Sequence, residues 1–410
     1  MLTEHTIAIV KATAPVVAPQ AEAITRRFYT LMFTQNPEVQ AYFNPAHQHS
    51  GGQQKALAGA ICAYAANIDN LAALGPAVEL IAQKHCSLGI RPEHYPIVGK
   101  HLLAAIKDML GDAATDEVIV AWGDAYGFLA EIFIGREAAI YQEQATAAGG
   151  WNGFRDFVVE RKTPESEIIT SFYLRPRDAG ALAPYKPGQY ITVKVEHPSV
   201  PTSPRNYSLS DRPGVGHYRI SVKREPRLAP GTPAGLVSNY LHDYVREGDT
   251  LKIGPPCGEF TLDPALCSDR PIVLLSGGIG ITPIMSMLKS LAHRRAETSI
   301  FFIHAARNSS VHALANEVRH IAAEMPNIRT HFRYDSPHAD DVKNKLCDSA
   351  GLVDRTFLRE WLPSNDADFY FCGPKPFMVG VFHALKGLGV DESRMHFEFF
   401  GPREDITTAA

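Results

Sequence analysis

One short segment in the middle of the chain places a cation, an aromatic ring and a hydroxyl within four residues. Residues 205–208 read RNYS, in a stretch whose alternation predicts a β-strand. The Arg205 guanidinium can pair with a diphosphate, the Tyr207 ring can pack on an isoalloxazine, and the Ser208 hydroxyl can reach the redox-active N5. Together these groups predict a strand that binds a flavin nucleotide. An ordinary strand of alternating polarity is the alternative.

A glycine-rich turn follows an apolar strand further along the chain. Residues 276–283 read SGGIGITP, between an apolar run at 271–275 and a helical pattern at 284–291. Glycines let the backbone come close to a diphosphate at a helix N-terminus. The spacing departs from GxGxxG, so the sequence predicts a nucleotide-binding turn outside the generic dinucleotide fold. A purely structural turn is the alternative.

Two polar side chains interrupt apolar helical faces near the N-terminus. Tyr29 follows Phe28, and Gln53 lies one helical turn before Leu57, so Gln53 and Leu57 point the same way. A phenol, an amide and an aliphatic side chain suit an apolar cavity that takes a small polar ligand. The alternative is that Tyr29 is a core residue with a satisfied hydroxyl and Gln53 is a solvated residue at a helix start.

A histidine in a helical context could ligate iron. His85 lies in Ala82-Gln83-Lys84-His85-Cys86, with Leu80, Ile81 and Leu88 nearby. A satisfied core histidine is the alternative. The spacing alone does not choose among the six histidines of this region, which are His5, His47, His49, His85, His94 and His101.

The composition limits what kind of protein carries these groups. The 410 residues are enough for roughly two to four domains, and 45% hydrophobic and 20% charged residues are ordinary for globular chains. Since 40 basic residues face 44 acidic ones, we expect no nucleic-acid partner. No apolar run of about 18 residues occurs, so we expect no integral membrane insertion.

The cysteines indicate a reducing compartment. Their positions contain no CxxC spacing, which fits free thiols better than disulfides or a zinc site. We therefore expect a cytoplasmic protein. The six cysteines are Cys62, Cys86, Cys257, Cys267, Cys347 and Cys372.

The spacing of apolar residues changes twice along the chain and divides it into three parts. Residues 1–146 show apolar residues at helical spacing, residues 151–263 show short alternating segments typical of an antiparallel barrel, and residues 264–403 alternate strand and helix patterns. The alternation of strands and helices in the third part implies a parallel sheet covered on both faces. Residues 142–150, QEQATAAGG, indicate a polar joint between the first two parts.

The helical part resembles the globin domain of bacterial flavohaemoglobins. The resemblance implies that His85 is the proximal ligand of haem b, that Phe43 packs against the haem, and that Lys84 reaches a haem propionate and lies toward the flavin. It places Tyr29, Gln53 and Leu57 on the distal side. Tyr95 and Glu137 would hydrogen-bond around the proximal imidazole, where a carboxylate makes the ligand a stronger electron donor and favours oxygen activation over storage.

The remaining two thirds resemble the reductase module of the ferredoxin-reductase superfamily. The resemblance implies FAD binding by the segment with Gln189 and Tyr190, by the RNYS strand, and by the segment that begins at Ala234. The family usually has two glycines at the head of this last segment, and Ala234 takes the place of the first. It implies nicotinamide binding by the glycine-rich turn and by the CGP element, which is residues 372–374. It also implies that a C-terminal segment with Glu398 and Phe399 covers the flavin. An ordinary terminal strand is the alternative for that last segment. The residues implied are Arg205, Asn206, Tyr207, Ser208, Gly235, Leu236, Val237, Ser238, Gly277, Gly278, Ile279, Gly280, Ile281, Thr282, Pro283, Cys372, Gly373, Pro374, Glu398 and Phe399.

The resemblance implies a nitric oxide dioxygenase that converts NO and O₂ to nitrate, with electrons passing from NAD(P)H through FAD to haem. Arg307 could meet the 2′-phosphate of NADPH. We expect a monomer, and the resemblance admits a lipid in the distal haem pocket. Two alternatives remain, a gas or redox sensor, and a flavin reductase whose helical part is a docking module without haem.

Overall fold

The computed structural model describes residues 1–196, 202–226, 234–265 and 270–401. These residues form an all-α part, an antiparallel β-barrel and an α/β part with a parallel sheet, which confirms the predicted fold class. Cys267 lies outside the described residues, as do residues 402 and 403 of the predicted third domain. The other cysteines are free thiols.

The first part is a helical bundle around one apolar core. Phe28, Ile106 and Trp122 are almost fully buried there. The stretches Glu4–Gln35 and Asp116–Thr146 are long and apolar enough to cross a bilayer by length and composition alone, and both contribute to this core. The helices are α1 (Glu4–Val17), α2 (Ala21–Gln35), α3 (Pro45–Ser50), α4 (Gly52–Ala66), α5 (Gly75–Leu88), α6 (His94–Leu110) and α7 (Asp116–Thr146).

The predicted joint at 142–150 is wrong in its first half, because α7 continues through Thr146. The polar residues there lie on a helix face, and Gln144 Nε2 donates to Cys257 Sγ of the barrel at 3.1 Å. The chain turns only at Gly149, whose φ is +72°. A Cβ at Gly149 would lie 2.6 Å from the Ala181 carbonyl oxygen, so this glycine permits close packing on the barrel.

The barrel consists of antiparallel strands in the order β4-β3-β6-β1-β2-β5. A bridge between Leu209 and Ile220 joins the two ends of this sheet. A short helix, α8 (Leu236–Asp243), packs against it through Val237 and Leu241. The strands are β1 (Arg155–Pro164), β2 (Ile169–Pro176), β3 (Tyr190–Lys194), β4 (Arg205–Ser208), β5 (Tyr218–Lys223) and β6 (Thr250–Ile253).

The third part is a parallel sheet with apolar layers on both faces. Its order is β10-β9-β8-β7-β11-β12, and neighbouring residues of β7 alternate, with Leu274 in one layer and Leu275 in the other. Its strands are β7 (Ile272–Gly277), β8 (Ile300–Ala306), β9 (Ile328–Tyr334), β10 (Ser349–Ala350), β11 (Asp368–Cys372) and β12 (Met395–Glu398). Its helices are α9 (Ile281–His293), α10 (Ala315–Glu324), α11 (Ala339–Lys343), α12 (Arg355–Trp361) and α13 (Lys375–Gly387).

A buried ionic cluster joins the barrel to the α/β part. Arg219 of β5 is 1% exposed and donates to Glu317 of α10 and to the Ser210 backbone oxygen. Lys289 of α9 pairs with both Asp211 and Glu317. Burial opposes ionisation of Asp211, but His217, Arg219 and Lys289 together lower its pKa below the usual range. The cluster joins the two parts through charged groups that are largely buried, so removal of one partner leaves another charge poorly compensated.

We expect Arg219→Met to lower the free energy of unfolding of the reductase part by about 3 kcal/mol. The substitution keeps the volume but leaves the Glu317 carboxylate and the Ser210 oxygen short of a partner. Urea unfolding followed by circular dichroism measures the effect. Arg359→Met, at an exposed position of α12, is the matched control. Equal midpoints for the two variants would show that the cluster contributes no net stability.

Candidate functional site

Helices α5, α6 and α7 bring His85, Tyr95 and Glu137 together. Glu137 is 2% exposed, and its Oε1 accepts hydrogen bonds from the Tyr95 hydroxyl at 2.5 Å and from His85 Nδ1 at 2.7 Å. The Tyr95 oxygen also lies 3.1 Å from Nδ1. Burial is the main reason that the pKa of Tyr95 is raised, so the phenol stays protonated and donates.

These contacts fix the tautomer of His85. An ionised carboxylate only accepts, so Nδ1 carries the hydrogen and Nε2 keeps its lone pair. Nε2 makes no hydrogen bond to the described residues, and the side chain is 32% exposed. This arrangement suits an imidazole that binds iron through Nε2 with a carboxylate behind it.

A second group of side chains lies at the other predicted face of the haem pocket. Tyr29 of α2 is 5% exposed, and burial raises the pKa of its phenol, against the smaller opposing effect of the nearby Gln53 and Gln48 side chains. The ring of Phe43 meets Tyr29 edge-on at 5.6 Å, and Leu57 packs partly exposed on the same core. Apolar side chains left partly exposed around a buried phenol fit a porphyrin with a polar ligand. Gln48 was missed by sequence reasoning, because nothing in its spacing ties it to Tyr29.

The predicted flavin strand is β4, which pairs with β3 so that Tyr190 lies opposite Ser208 and Thr192 opposite Asn206. Thr192 Oγ1 donates to Asn206 Oδ1 at 2.9 Å. This register places the two predicted flavin segments side by side. Arg205 donates to Asn44 Oδ1 of the helical part at 3.0 Å, so the strand also contacts the globin-like part.

The segment that follows Ala234 offers backbone groups rather than side chains. Gly235 is the N-cap of α8, whose first residues are Leu236, Val237 and Ser238. Val237 is buried in the barrel core, and the Ser238 hydroxyl donates to the Gly235 oxygen at 3.2 Å. The first-turn N–H groups are therefore the donors that this segment presents to a diphosphate.

The glycine-rich turn and the CGP element are in contact. Gly278 has a φ of +50°. A Cβ at Gly280 would lie 2.2 Å from the Cys372 carbonyl oxygen, and one at Gly373 would lie 3.1 Å from the Gly277 nitrogen. These positions tolerate only glycine because the two backbones approach each other so closely. Thr282 closes the turn by donating to the Ile279 oxygen at 3.0 Å, with Ile281 and Pro283 opening the buried α9. Arg307 lies exposed just beyond β8.

The C-terminal segment is a strand, as the alternative had it, and it also lies at the meeting point of the three parts. Glu398 ends β12 opposite Cys372 of β11. Lys84 of α5 donates to the Gly401 oxygen at 3.2 Å, so its ammonium faces this tail. Burial raises the pKa of Glu398 to about 8, against the opposing attraction of Lys84. Its Oε2 is buried without a hydrogen-bond partner among the described residues, which fits a group that contacts a missing ligand.

Two families match the chain. The globin family matches residues 26–133, and the family described as "Oxidoreductase NAD-binding domain" matches residues 274–382. A flavohemoprotein of Rhodopirellula baltica is 63% identical over 99% of both chains, and one of Bordetella parapertussis is 52% identical over 98% of this chain and 99% of its own. The crystal structure of a flavohemoglobin from Malassezia yamatoensis with bound FAD and heme superimposes with a TM-score of 0.83 at 27% identity, covering 98% of this chain and 100% of its own.

We expect the stability of the chain to fall as the pH rises from about 5 to about 8, in part because of Glu398. The pKa of Glu398 in the folded chain, about 8, lies above the ordinary glutamate value, so between these two values the folded state holds a proton that the unfolded state has lost. Each unit of difference is worth about 1.4 kcal/mol. Glu398→Gln is expected to flatten this decline in urea midpoints, whereas Glu360→Gln at an exposed position is not. A decline that keeps its slope in Glu398→Gln would contradict the assignment.

Proposed function

Because the chain belongs to the flavohemoprotein family, we propose that it is a nitric oxide dioxygenase that uses NAD(P)H to convert NO and O₂ to nitrate. The observation that carries this proposal is the His85 imidazole, whose Nδ1 is held by the buried Glu137 while Nε2 is left for iron. A carboxylate in this place makes the imidazole a stronger electron donor. Oxygen storage does not need such a ligand.

The electron count explains why a reductase is part of the same chain. Oxidation of NO to nitrate releases three electrons, and full reduction of O₂ takes four, so each NO requires one electron from outside. NAD(P)H delivers a hydride, which carries two. When bound, haem supplies the iron at which NO and O₂ react, and FAD converts the hydride into single electrons.

The chain's own residues position and polarise these groups. We propose that Tyr29 and Gln53 present an O–H and an N–H to a ligand that gains negative charge on the distal side. Leu57 and Phe43 exclude water from that side. The β3 and β4 strands and the first turn of α8 hold the flavin, and the glycine-rich turn with the CGP element holds the nicotinamide nucleotide, next to Glu398.

We further propose that the protein acts as a monomer in the cytoplasm, with Arg307 available to a 2′-phosphate. The free thiols among the described cysteines support a reducing compartment. We also propose that a lipid chain can lie on the distal side, where the partly exposed Leu57 and Phe43 provide apolar surface. Cell fractionation and the molecular mass in solution test the location and the oligomeric state.

Tyr29→Phe is expected to speed O₂ dissociation and to lower NO dioxygenation by about tenfold. The substitution removes one buried donor to a charged ligand, a contact worth about 1.5 kcal/mol, and leaves the ring packing on Phe43 intact. Flash photolysis gives the dissociation rate, and NO consumption in air gives the turnover. Unchanged values for both would remove Tyr29 from the proposed distal site.

His85→Ala is expected to abolish the carbon monoxide adduct of the reduced protein while NADH-dependent reduction of an external dye continues. The reason is that the imidazole belongs to the helical part, and the flavin and nucleotide segments lie in the barrel and the α/β part. Visible spectra and dye reduction measure the two properties on one preparation. Loss of both activities would mean that the two halves do not function separately.

A further inference from the structure

Helix α5 presents opposite faces to two different partners. At about 100° per residue, Gln83 and Ser87 lie on one face, and His85 points to the other side. His85 meets Glu137 inside the helical part, whereas Gln83 and Ser87 both contact the barrel. The helix that carries the candidate iron ligand is therefore also the helix that docks on the candidate flavin site.

Ser87 contacts the predicted flavin strand directly. It is 2% exposed, and its Oγ donates to the Lys84 oxygen at 2.8 Å and accepts from Asn206 Nδ2 at 3.3 Å. Asn206 is held on its other side by Thr192. The Ser87 side chain also lies beside the Tyr190 phenol at the start of β3, where it opposes the rise in the pKa of that phenol that burial causes. One hydroxyl thus reaches both strands that the flavin would touch.

Gln83 makes a second bridge one helical turn earlier. Its Oε1 accepts from the Gly258 N–H at 3.2 Å, and its Nε2 donates to Glu79 at 2.9 Å, which holds the amide in one orientation. The Gly258 oxygen in turn accepts from Gln189 Nε2 at 3.0 Å. Gly258 has a φ of +108°, and a Cβ there would lie 2.8 Å from the Tyr190 ring, so the loop is pressed against β3.

We propose that Gln83 and Ser87 are positioning residues that lock α5 onto the barrel and so fix the spacing between haem and flavin. The proposal rests on the proposed function, since it concerns the electron that passes from reduced flavin to ferric haem. Both side chains satisfy buried polar groups across the boundary, and neither contacts Glu137 or Tyr95. Their loss would loosen α5 against the barrel while leaving the contacts among His85, Tyr95 and Glu137 in place.

The test compares Gln83→Met, Ser87→Ala and the double variant with Gln142→Met, an exposed glutamine of α7. The holoprotein is mixed with NADH under carbon monoxide, and flavin bleaching and formation of the ferrous adduct are followed separately. A net hydrogen bond changes an equilibrium by roughly twofold to tenfold, so we expect adduct formation to slow by about that factor in each single variant. Flavin bleaching and the control should match the unmodified chain.

Two further measurements exclude a merely structural role. Hydrogen exchange at the Gly258 amide, which needs no cofactor activity, should be faster in Gln83→Met. Reduction of the haem by dithionite, which bypasses the flavin, should form the ferrous adduct in Gln83→Met at the rate of the unmodified chain.

The proposal is overturned if adduct formation and Gly258 exchange are unchanged, or if flavin bleaching slows equally. If Ser87→Ala fails to fold, Gln83→Met decides alone. An unmodified chain that forms no adduct would instead overturn the proposed function.

Discussion

The buried carboxylate of Glu137 is the constraint on which the candidate haem site depends. An ionised carboxylate without partners is costly in the interior of a protein, so it must lie where hydrogen-bond donors meet it. The His85 imidazole and the Tyr95 phenol provide those donors from two other helices. Both donate to Oε1, while Oε2 is buried without a hydrogen-bond partner among the described residues. The two contacts also orient the imidazole, so one pair of hydrogen bonds determines both the packing of the three helices and the direction of the candidate iron ligand. Helices α5, α6 and α7 cannot shift separately without breaking it.

Helix α5 also contacts the reductase part. Because His85, Gln83 and Ser87 lie on one continuous helix, Gln83 and Ser87 project from the side of α5 opposite to the contact between His85 and Glu137. The barrel donates hydrogen bonds to these two side chains, from the Gly258 backbone N–H to Gln83 and from the Asn206 amide to Ser87. On β5 and in the segment that follows β4, the ionic cluster around Arg219 holds the α/β part. The barrel is therefore held by separate contacts to the helical part and to the α/β part.

Local patterns predicted much of this structure. The alternation at 205–208 predicted the strand β4 with its observed bounds, and the glycine-rich turn lies between a buried strand and a helix as expected. Those signals are local because backbone conformation and one buried face decide them. Tyr29 and Gln53 were singled out by their polarity on apolar faces, and the two side chains lie close together. The choice of His85 came from a family resemblance, since six histidines looked alike by spacing.

Contacts between distant segments were not predictable in the same way. Glu137 by itself resembles a solvated helix residue, because its burial depends on the arrival of His85 from α5 and Tyr95 from α6. Residues 142–146 resemble a linker because they are polar. The sequence does not show whether a polar helix face lies in solvent or against the barrel. The hydrogen bonds that Gln83 and Ser87 make to the barrel were not predictable either, because both residues look like ordinary surface residues of a helix in the sequence. Gln83 and Ser87 lie within two residues of the candidate iron ligand in the sequence, and as neutral polar side chains they make hydrogen bonds to the barrel without adding a charge of their own to the boundary.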